Sequence, residues 1–436
     1  MGDIEEREAL LLNRNKTFTR SSSNAGDELK SFRSLLRWMC VDQSNLWRTL
    51  LSWSLFFLLG IAVPVLSHFF LACSDCDATH HRPYDDVVQS SLSAVATLSF
   101  ICLSKFVRKY GLRRFLFLDK LCGESEKVRQ GYTAQLHRSL RILSCFVLPC
   151  FAAEGAYKIW WYSSGATQIP FLGNVYLSDA AACILELLSW LYRAAIFFLV
   201  CILFRLICYL QILRLQDFAQ VFQEESDVES VLKEHLRIRK QLRVISHRYR
   251  AFIMIALLFV TASQFASLLS TTRSNANLNI FMAGELALCS MTLMVGIFIL
   301  LRSATKITHK AQSITSLAAT WHICATLDSF DGIDGETPRA PIGGGRVIPI
   351  NSTSSESDEE GDDDDDDDLD NAKIIMPSYT HTISFQKRQA LVTYFENNRA
   401  GITVFGFTLD RTLLHTIFGI ELSLVLWLLG KTVGIS

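Results

Sequence analysis

Apolar residues occur along this chain in seven long runs rather than in the short segments of a soluble fold. A helix of about 20 apolar residues, at 1.5 Å per residue, matches the roughly 30 Å hydrocarbon core of a bilayer. The alternation expected of a transmembrane barrel is absent, so each run should be helical. The pattern predicts an all-α, polytopic membrane protein with seven transmembrane helices, spans one to seven, at residues 48–71, 87–107, 139–162, 181–211, 250–271, 279–301 and 405–430.

Span four is longer than a bilayer requires, so we expect it to tilt or to project beyond the lipid. Pro64 and Pro149 lie inside spans one and three. Because neighbouring helices can satisfy the freed backbone groups, prolines in lipid mark kinks more often than breaks.

Three further segments, 226–248, 303–328 and 382–399, carry apolar residues at helical spacing with charged residues between them. This spacing predicts amphipathic helices, the second of which continues span six. Two arrangements are open. The three helices either pack into a compact bundle on one side of the membrane or lie separately on its surface.

Lysine and arginine are unevenly distributed among the connections between spans. The N-terminal segment and loops two, four and six carry nearly all of them, whereas loops one and five carry only Arg82 and Arg273 and loop three carries none. By the positive-inside rule, the N-terminus and the even-numbered loops are cytosolic. Seven spans then place the C-terminus outside, which is opposite to the orientation of a G-protein-coupled receptor.

The formal net charge of −1 combines two opposite parts. Residues 356–370 hold twelve acidic residues and no basic ones, and without them the rest of the chain has a net charge of about +11.

The surrounding stretch 331–376 mixes Gly, Pro, Ser and acidic residues, so we expect it to be disordered. Ser355 and Ser357 precede acidic residues in the pattern that acidophilic kinases favour, and phosphorylation would add charge. The alternative is a solvated spacer.

These patterns divide the chain into four parts. They are a disordered cytosolic tail (1–45), transmembrane helices one to six with cytosolic helical extensions (46–330), a disordered acidic cytosolic loop (331–378), and a cytosolic helix followed by span seven (379–436). In the tail, Glu6, Leu10 and Leu11 have the form of an acidic dileucine sorting signal. Such a signal would favour an endosomal or vacuolar membrane over the plasma membrane.

The basic second loop "RKYGLRRFLFLDKLCGESEKVRQGY", the helix "VESVLKEHLRIRKQLRVISHRYR" and the ending "GFTLDRTLLHTIFGIELSLVLWLLGKTVGI" accompany this topology. Together they resemble the plant gustatory-receptor-like family, which is distantly related to insect gustatory and odorant receptors. The resemblance implies a tetramer, a cytosolic anchor of packed helical extensions, and a final span that lines a cation pore. The matching region "IELSLVLWLLGK" lacks the Tyr and Gln-Phe of the insect span, so the fold carries over more safely than channel activity.

Ionisable residues inside the spans are costly in hydrocarbon and usually face protein or water. Glu154 and Lys158 are spaced to pair along span three, and Glu186 and Arg193 share a face of span four. With Glu285 of span six, these five are candidates for a ligand pocket or ion path. The alternative is buried pairing that only holds the bundle together. In span seven, the pore-lining candidates are His415 and Glu421.

Two residue pairs at the predicted outer face have alternative interpretations. Cys73 and Cys76 are predicted to face an oxidising compartment, so a disulfide between them is a candidate. A zinc set that adds Asp77, His80 and His81 is disfavoured, because a single Cys-x-x-Cys pair is a weak signal, and we predict no metal site. Trp160 and Trp161, at the end of span three, are expected to anchor at the membrane interface.

The chain contains no phosphate-binding loop and no recognisable arrangement for nucleophilic catalysis, so we expect neither an enzyme nor a cofactor. The predicted partners are the lipid bilayer, further copies of the chain in a tetramer, and a small-molecule ligand that the sequence does not identify; nucleic acid is not among them. Our first hypothesis is a receptor or ligand-gated cation channel. The alternative is a non-conducting membrane scaffold, or a transporter, that recruits cytosolic partners.

Overall fold

The computed structural model describes residues 46–71, 84–115, 126–163, 175–224, 228–272, 280–331 and 385–433. The chain divides into two units between Leu55 and Phe56. Among the described residues, seven helices are long and apolar enough to cross a membrane, which confirms the predicted number. Span one comprises Leu46–Phe56, a π-helical turn Phe57–Ala62 and Val63–Leu71; spans two to seven are the helices Asp85–Phe115, Glu126–Ser163, Val175–Glu224, Val228–Thr272, Ile280–Asp331 and Arg411–Val433.

The π-helical turn in span one follows from Pro64. The Val63 N–H bonds to the Leu58 carbonyl, five residues back, and Pro64 has no N–H to offer the next carbonyl. The Leu59 carbonyl therefore lacks a donor from its own helix. It accepts a hydrogen bond of 2.6 Å from Ser189 Oγ of span four instead, which ties the two spans together.

Span four is the central helix. Of its most apolar window, 83% is buried, against 22% for span seven. It packs against spans two, three and six. It comes close to span six at Gly296, where an added Cβ would lie 2.1 Å from the Phe197 ring, so a larger residue there would force that ring to move. The 50 residues of this helix confirm that it is longer than a bilayer requires.

Spans four, five and six continue beyond their apolar stretches at the end of the bundle where spans four and five are joined, here called the even-loop end. The helix Phe385–Asn397, here called the linker helix, packs against spans five and six. The rings of His235 and Phe395 are 4.6 Å apart, and Arg239 Nη1 donates to Asn398 Oδ1 at 2.7 Å. These contacts favour a compact bundle of the three predicted amphipathic helices over helices that lie separately on the membrane surface.

Span seven begins later than predicted, at Arg411 rather than residue 405. Thr403–Val404 and Phe407–Thr408 pair as an antiparallel hairpin, and Phe405 and Gly406 at its tip have positive φ angles of 48° and 94°, as a type I′ turn requires. Asp410 Oδ1 then caps the helix by accepting from the Leu413 N–H at 2.9 Å. The predicted boundary was wrong because the apolar hairpin residues resemble the start of a span.

Candidate functional site

Lys158 of span three lies at the centre of a group of buried charges. Its Nζ is 3.0 Å from Glu186 Oε2 of span four and 3.1 Å from Glu285 Oε1 of span six. Glu154 Oε1, one helical turn away, is 3.8 Å from the same nitrogen. Arg193 lines one cavity together with Glu154, Lys158 and Glu186, and all five side chains are at most 8% exposed. The five candidates from three separate spans therefore form one site, which we call the ionic cluster.

The helix ends locate this cluster. Lys158 is five residues before Ser163, the last residue of span three, and Glu285 is five residues after Ile280, the first residue of span six. Five residues correspond to about 7.5 Å of helix. The cluster is therefore within the bundle, near the end where spans three and four and spans five and six are joined, here called the odd-loop end.

Arg193 connects the cluster to span two. Its Nη1 donates to Ser93 Oγ at 3.1 Å and to the Gln89 carbonyl at 3.4 Å, and its Nε donates to the Ser189 carbonyl at 3.3 Å. Since neutral oxygens take these donors, the guanidinium remains hydrogen-bonded in a place without bulk water.

Span one closes the cluster through Ser67, whose hydroxyl donates to Glu186 Oε1. The sequence did not single out Ser67, Gln89, Ser93 or Ser189. Hydroxyl and amide residues are common in spans, so no sequence signal separates these four from residues that only bond to their own helix. Only the packing of spans one, two and four identifies them.

Beside the ionic cluster is a small cavity of about 10 Å³. Residues of spans one to four line it, including Val63, Pro64, Gln89 and Trp190 as well as cluster members. If all five cluster residues are ionised, three carboxylates face two cations, for a net charge of −1. Such a site suits a small cationic or zwitterionic ligand, or a proton that moves among the carboxylates. The described residues include no group of three His, Cys, Asp or Glu side chains that could hold a metal ion.

Trp161 is buried within the protein rather than anchoring at the interface. It is 1% exposed and packs with Tyr162 and Cys183 in a small apolar core, its ring edge-on to that of Tyr162 at 4.9 Å. The expectation of an interface anchor was wrong for Trp161, because span four covers the ring.

The two pore-lining candidates of span seven point in different directions. Glu421 is 3% exposed, and its Oε1 accepts a hydrogen bond of 2.6 Å from Thr261 Oγ1 of span five. His415 is exposed. Six residues separate them, so on a helix of 3.6 residues per turn they lie on different faces. Of these two residues, only His415 lies on the exposed face of span seven.

That exposed face of span seven is more polar than the sequence suggested. Beside the exposed Ile420 and Leu426, it carries a set of small, polar or titratable residues at spacings of three and four, which we call the polar stripe: Thr412, His415, Thr416, Gly419 and Ser423. The Thr416 hydroxyl donates to the Thr412 carbonyl at 2.9 Å, and the Ser423 hydroxyl donates to the Gly419 carbonyl at 2.7 Å. The opposite side of the helix packs against spans five and six.

The remaining predicted sites lie outside the described residues. They are the disulfide candidate Cys73 and Cys76, the phosphorylation candidates Ser355 and Ser357, and the sorting-signal candidate Glu6, Leu10 and Leu11. The acidic stretch 356–370 also lies outside them.

Fold and site together define an integral, multi-pass helical membrane protein with a buried ionic cluster between its spans. The chain belongs to the family described as "Protein of unknown function (DUF3537)", whose model matches residues 27–420. No curated protein matches the chain.

Proposed function

We propose that this protein is a homotetrameric membrane receptor or ligand-gated cation channel whose N-terminus is cytosolic and whose C-terminus is outside. The distribution of lysine and arginine among the loops supports this orientation. With this orientation, the ionic cluster lies towards the outer face and the helical extensions lie in the cytosol. The resemblance to plant gustatory-receptor-like proteins supports four copies around a pore lined by span seven.

The observation that carries the channel proposal is the polar stripe on span seven. A helix face that meets lipid is ordinarily apolar, whereas small and hydroxyl residues gather where a helix meets another helix or water. Four copies of span seven around one axis would bring four polar stripes together, which removes them from lipid.

The hydroxyl groups of the polar stripe suit cations. Thr416 and Ser423 donate their hydrogens to carbonyl groups of their own helix. A hydroxyl oxygen keeps two acceptor lone pairs, which are then available to a passing cation in place of water.

The ionic cluster is the proposed ligand site. Buried charges between spans contribute little to stability compared with well-packed apolar residues, so their presence here favours a functional role. Span six joins this site to the proposed pore. It carries Glu285 near one end, and further along the helix its Phe298 ring lies 4.7 Å from Phe418 of span seven. A ligand that moves Glu285 would therefore act directly on a helix packed against span seven.

Recordings from the purified full-length protein in planar bilayers test the channel proposal, with potassium chloride as the probe and spontaneous openings as the signal. We expect Thr416→Val, which removes one hydroxyl without changing the side-chain shape, to lower single-channel conductance at least twofold. Thr272→Val is the matched control, because Thr272 is also exposed and donates to a carbonyl of its own helix at 2.8 Å. Equal conductance in the two variants would show that the polar stripe does not line the pore.

A non-conducting transporter or scaffold is the second candidate, and the ionic cluster supports its transporter form. A lysine within reach of three carboxylates from three spans resembles the proton relays of transporters. Under this proposal, the protein in planar bilayers shows no channel openings. Proteoliposomes under a proton gradient instead take up the transported solute, and Glu285→Gln abolishes this uptake. The linker helix and the acidic stretch would then recruit cytosolic partners.

A further inference from the structure

A second cavity, of about 30 Å³, lies away from the ionic cluster, on the side of the apolar stretches that faces the even-loop end. Spans three, four and six line it. Its described lining includes four cationic side chains, Arg138, Arg205, Arg302 and Lys306, together with the polar residues Gln135, Tyr209 and Ser303.

Contacts within the protein position two of these cations. The Arg302 guanidinium lies over the Phe298 ring, 5.8 Å from its centre. With the Gln135 amide turned so that its oxygen faces Arg205, that oxygen accepts from Nη2 at 3.1 Å and Nε at 3.3 Å. Held guanidinium groups lose less conformational freedom when they bind an anion.

The cavity lies at the boundary between the apolar and polar parts of the spans. Arg302 and Lys306 are the first cations after residues 280–301 of span six, and Arg138 precedes the apolar part of span three. Side chains at this depth reach the headgroup layer of a bilayer. A lipid headgroup could therefore enter the cavity while its acyl chains stay in the hydrocarbon.

We propose that this cavity binds a phosphate-monoester anion, and that the anion is the headgroup of a phosphorylated inositol lipid. Arginine offers paired N–H donors that match two phosphate oxygens, and lysine adds a point charge. Basic pockets between membrane helices bind such headgroups for this reason. Because span six lines both this cavity and the ionic cluster, the bound lipid would bias the same helix that the proposed ligand acts on.

Binding measured on the full-length protein in nanodiscs of neutral phosphatidylcholine tests the proposal. The probes are dioctanoyl phosphatidylinositol 4-phosphate, inorganic phosphate and dioctanoyl phosphatidylcholine. We expect the phosphoinositide to bind and the neutral lipid not to bind. The double variant Arg302→Gln with Lys306→Gln should raise the phosphoinositide dissociation constant about tenfold or more, since two cations near the surface are lost.

The control is Lys233→Gln with Lys240→Gln, which removes the same charge from two exposed lysines of span five outside the cavity. We expect it to change the dissociation constant less than twofold. Arg302→Lys with Lys306→Arg keeps the charge and should keep most of the binding, which separates charge loss from misfolding.

The outcomes are distinct. Inorganic phosphate that binds as tightly as the phosphoinositide would support the phosphate site and overturn the lipid as its source. The proposal as a whole is overturned if neither the phosphoinositide nor inorganic phosphate binds. It is also overturned if the Arg302→Gln, Lys306→Gln variant and the Lys233→Gln, Lys240→Gln control lose affinity by the same factor. Neither result depends on whether the protein conducts ions.

Discussion

Lys158 occupies a position that hydrophobic burial alone would disfavour. Removing an ammonium group from water costs several kcal/mol, and attraction to nearby carboxylates offsets that only when the geometry is good. Here Glu186 and Glu285 lie within 3.1 Å of its Nζ. The cluster therefore depends on the contacts among its members, and loss of the lysine leaves carboxylates buried without their cation.

We predict that Lys158→Met, which keeps the length of the side chain and removes its charge, lowers the free energy of unfolding by about 3–5 kcal/mol. Thermal unfolding of the purified protein in detergent measures the change. Lys233→Met is the control, because Lys233 is exposed and the same substitution there should have little effect.

A second substitution separates charge from packing at this site. If uncompensated carboxylates cause the loss, Lys158→Met combined with Glu285→Gln should be more stable than Lys158→Met alone. A double variant no more stable than the single one would mean that the ammonium group is not what stabilises these carboxylates.

At the scale of elements, span four organises the molecule because other spans pack around it. Among the described glycines that contact span four, Gly296 of span six is the most tightly packed, because it leaves no room for a methyl group beside Phe197. The same two helices carry Glu186 and Glu285. Their spacing therefore affects both the core and the ionic cluster.

We predict that Gly296→Ala destabilises the protein by about 1–3 kcal/mol, because the added methyl group overpacks the contact with Phe197. Gly155→Ala in span three is the matched control, since a Cβ there meets nothing within 4 Å. Alanine is favoured over glycine in a helix by roughly 0.5–1 kcal/mol, so the control should be neutral or stabilised. Thermal unfolding in detergent compares the two, and equal stability would contradict the close approach.

At the scale of the whole molecule, orientation and assembly decide between the proposed functions. The loops that carry most of the lysine and arginine are joined to the even-loop end, where the helical extensions and the linker helix pack. Only a cytosolic even-loop end agrees with the positive-inside rule.

We predict that an epitope tag after Ser436 is accessible to antibody added to the non-cytosolic side of intact membranes. A tag before Met1 should become accessible only after permeabilisation. The physical reason is the unfavourable transfer of many cationic side chains across lipid. Accessibility of the N-terminal tag alone would reverse the orientation and remove the basis of the inverted seven-helix proposal.

We also predict that the purified protein has the mass of four chains in detergent, measured by light scattering with the detergent contribution subtracted. Four copies would bury the polar stripe of span seven, which is otherwise exposed. A monomer at concentrations where the protein is folded would favour the scaffold or transporter instead.

Hydrophobic length determined the seven spans from the sequence alone, because the bilayer thickness sets how long an apolar helix must be. The same local reasoning identified Glu154, Lys158, Glu186, Arg193 and Glu285 one by one, since a charge inside a span is conspicuous wherever it occurs. It misplaced the start of span seven, where the Phe405–Gly406 turn interrupts apolar residues, and it did not separate the inward Glu421 from the outward His415.

Tertiary structure alone decided which of these residues meet. Lys158 reaches Glu285 across 127 positions of the chain, and Ser189 finds the Leu59 carbonyl across 130. Such contacts depend on the order and rotation of packed helices, which the periodicity of a single helix does not encode. The grouping of four cations around the second cavity arose in the same way. Arg205 lies inside span four and the other three lie near span boundaries, and only the packing of three helices brings them together.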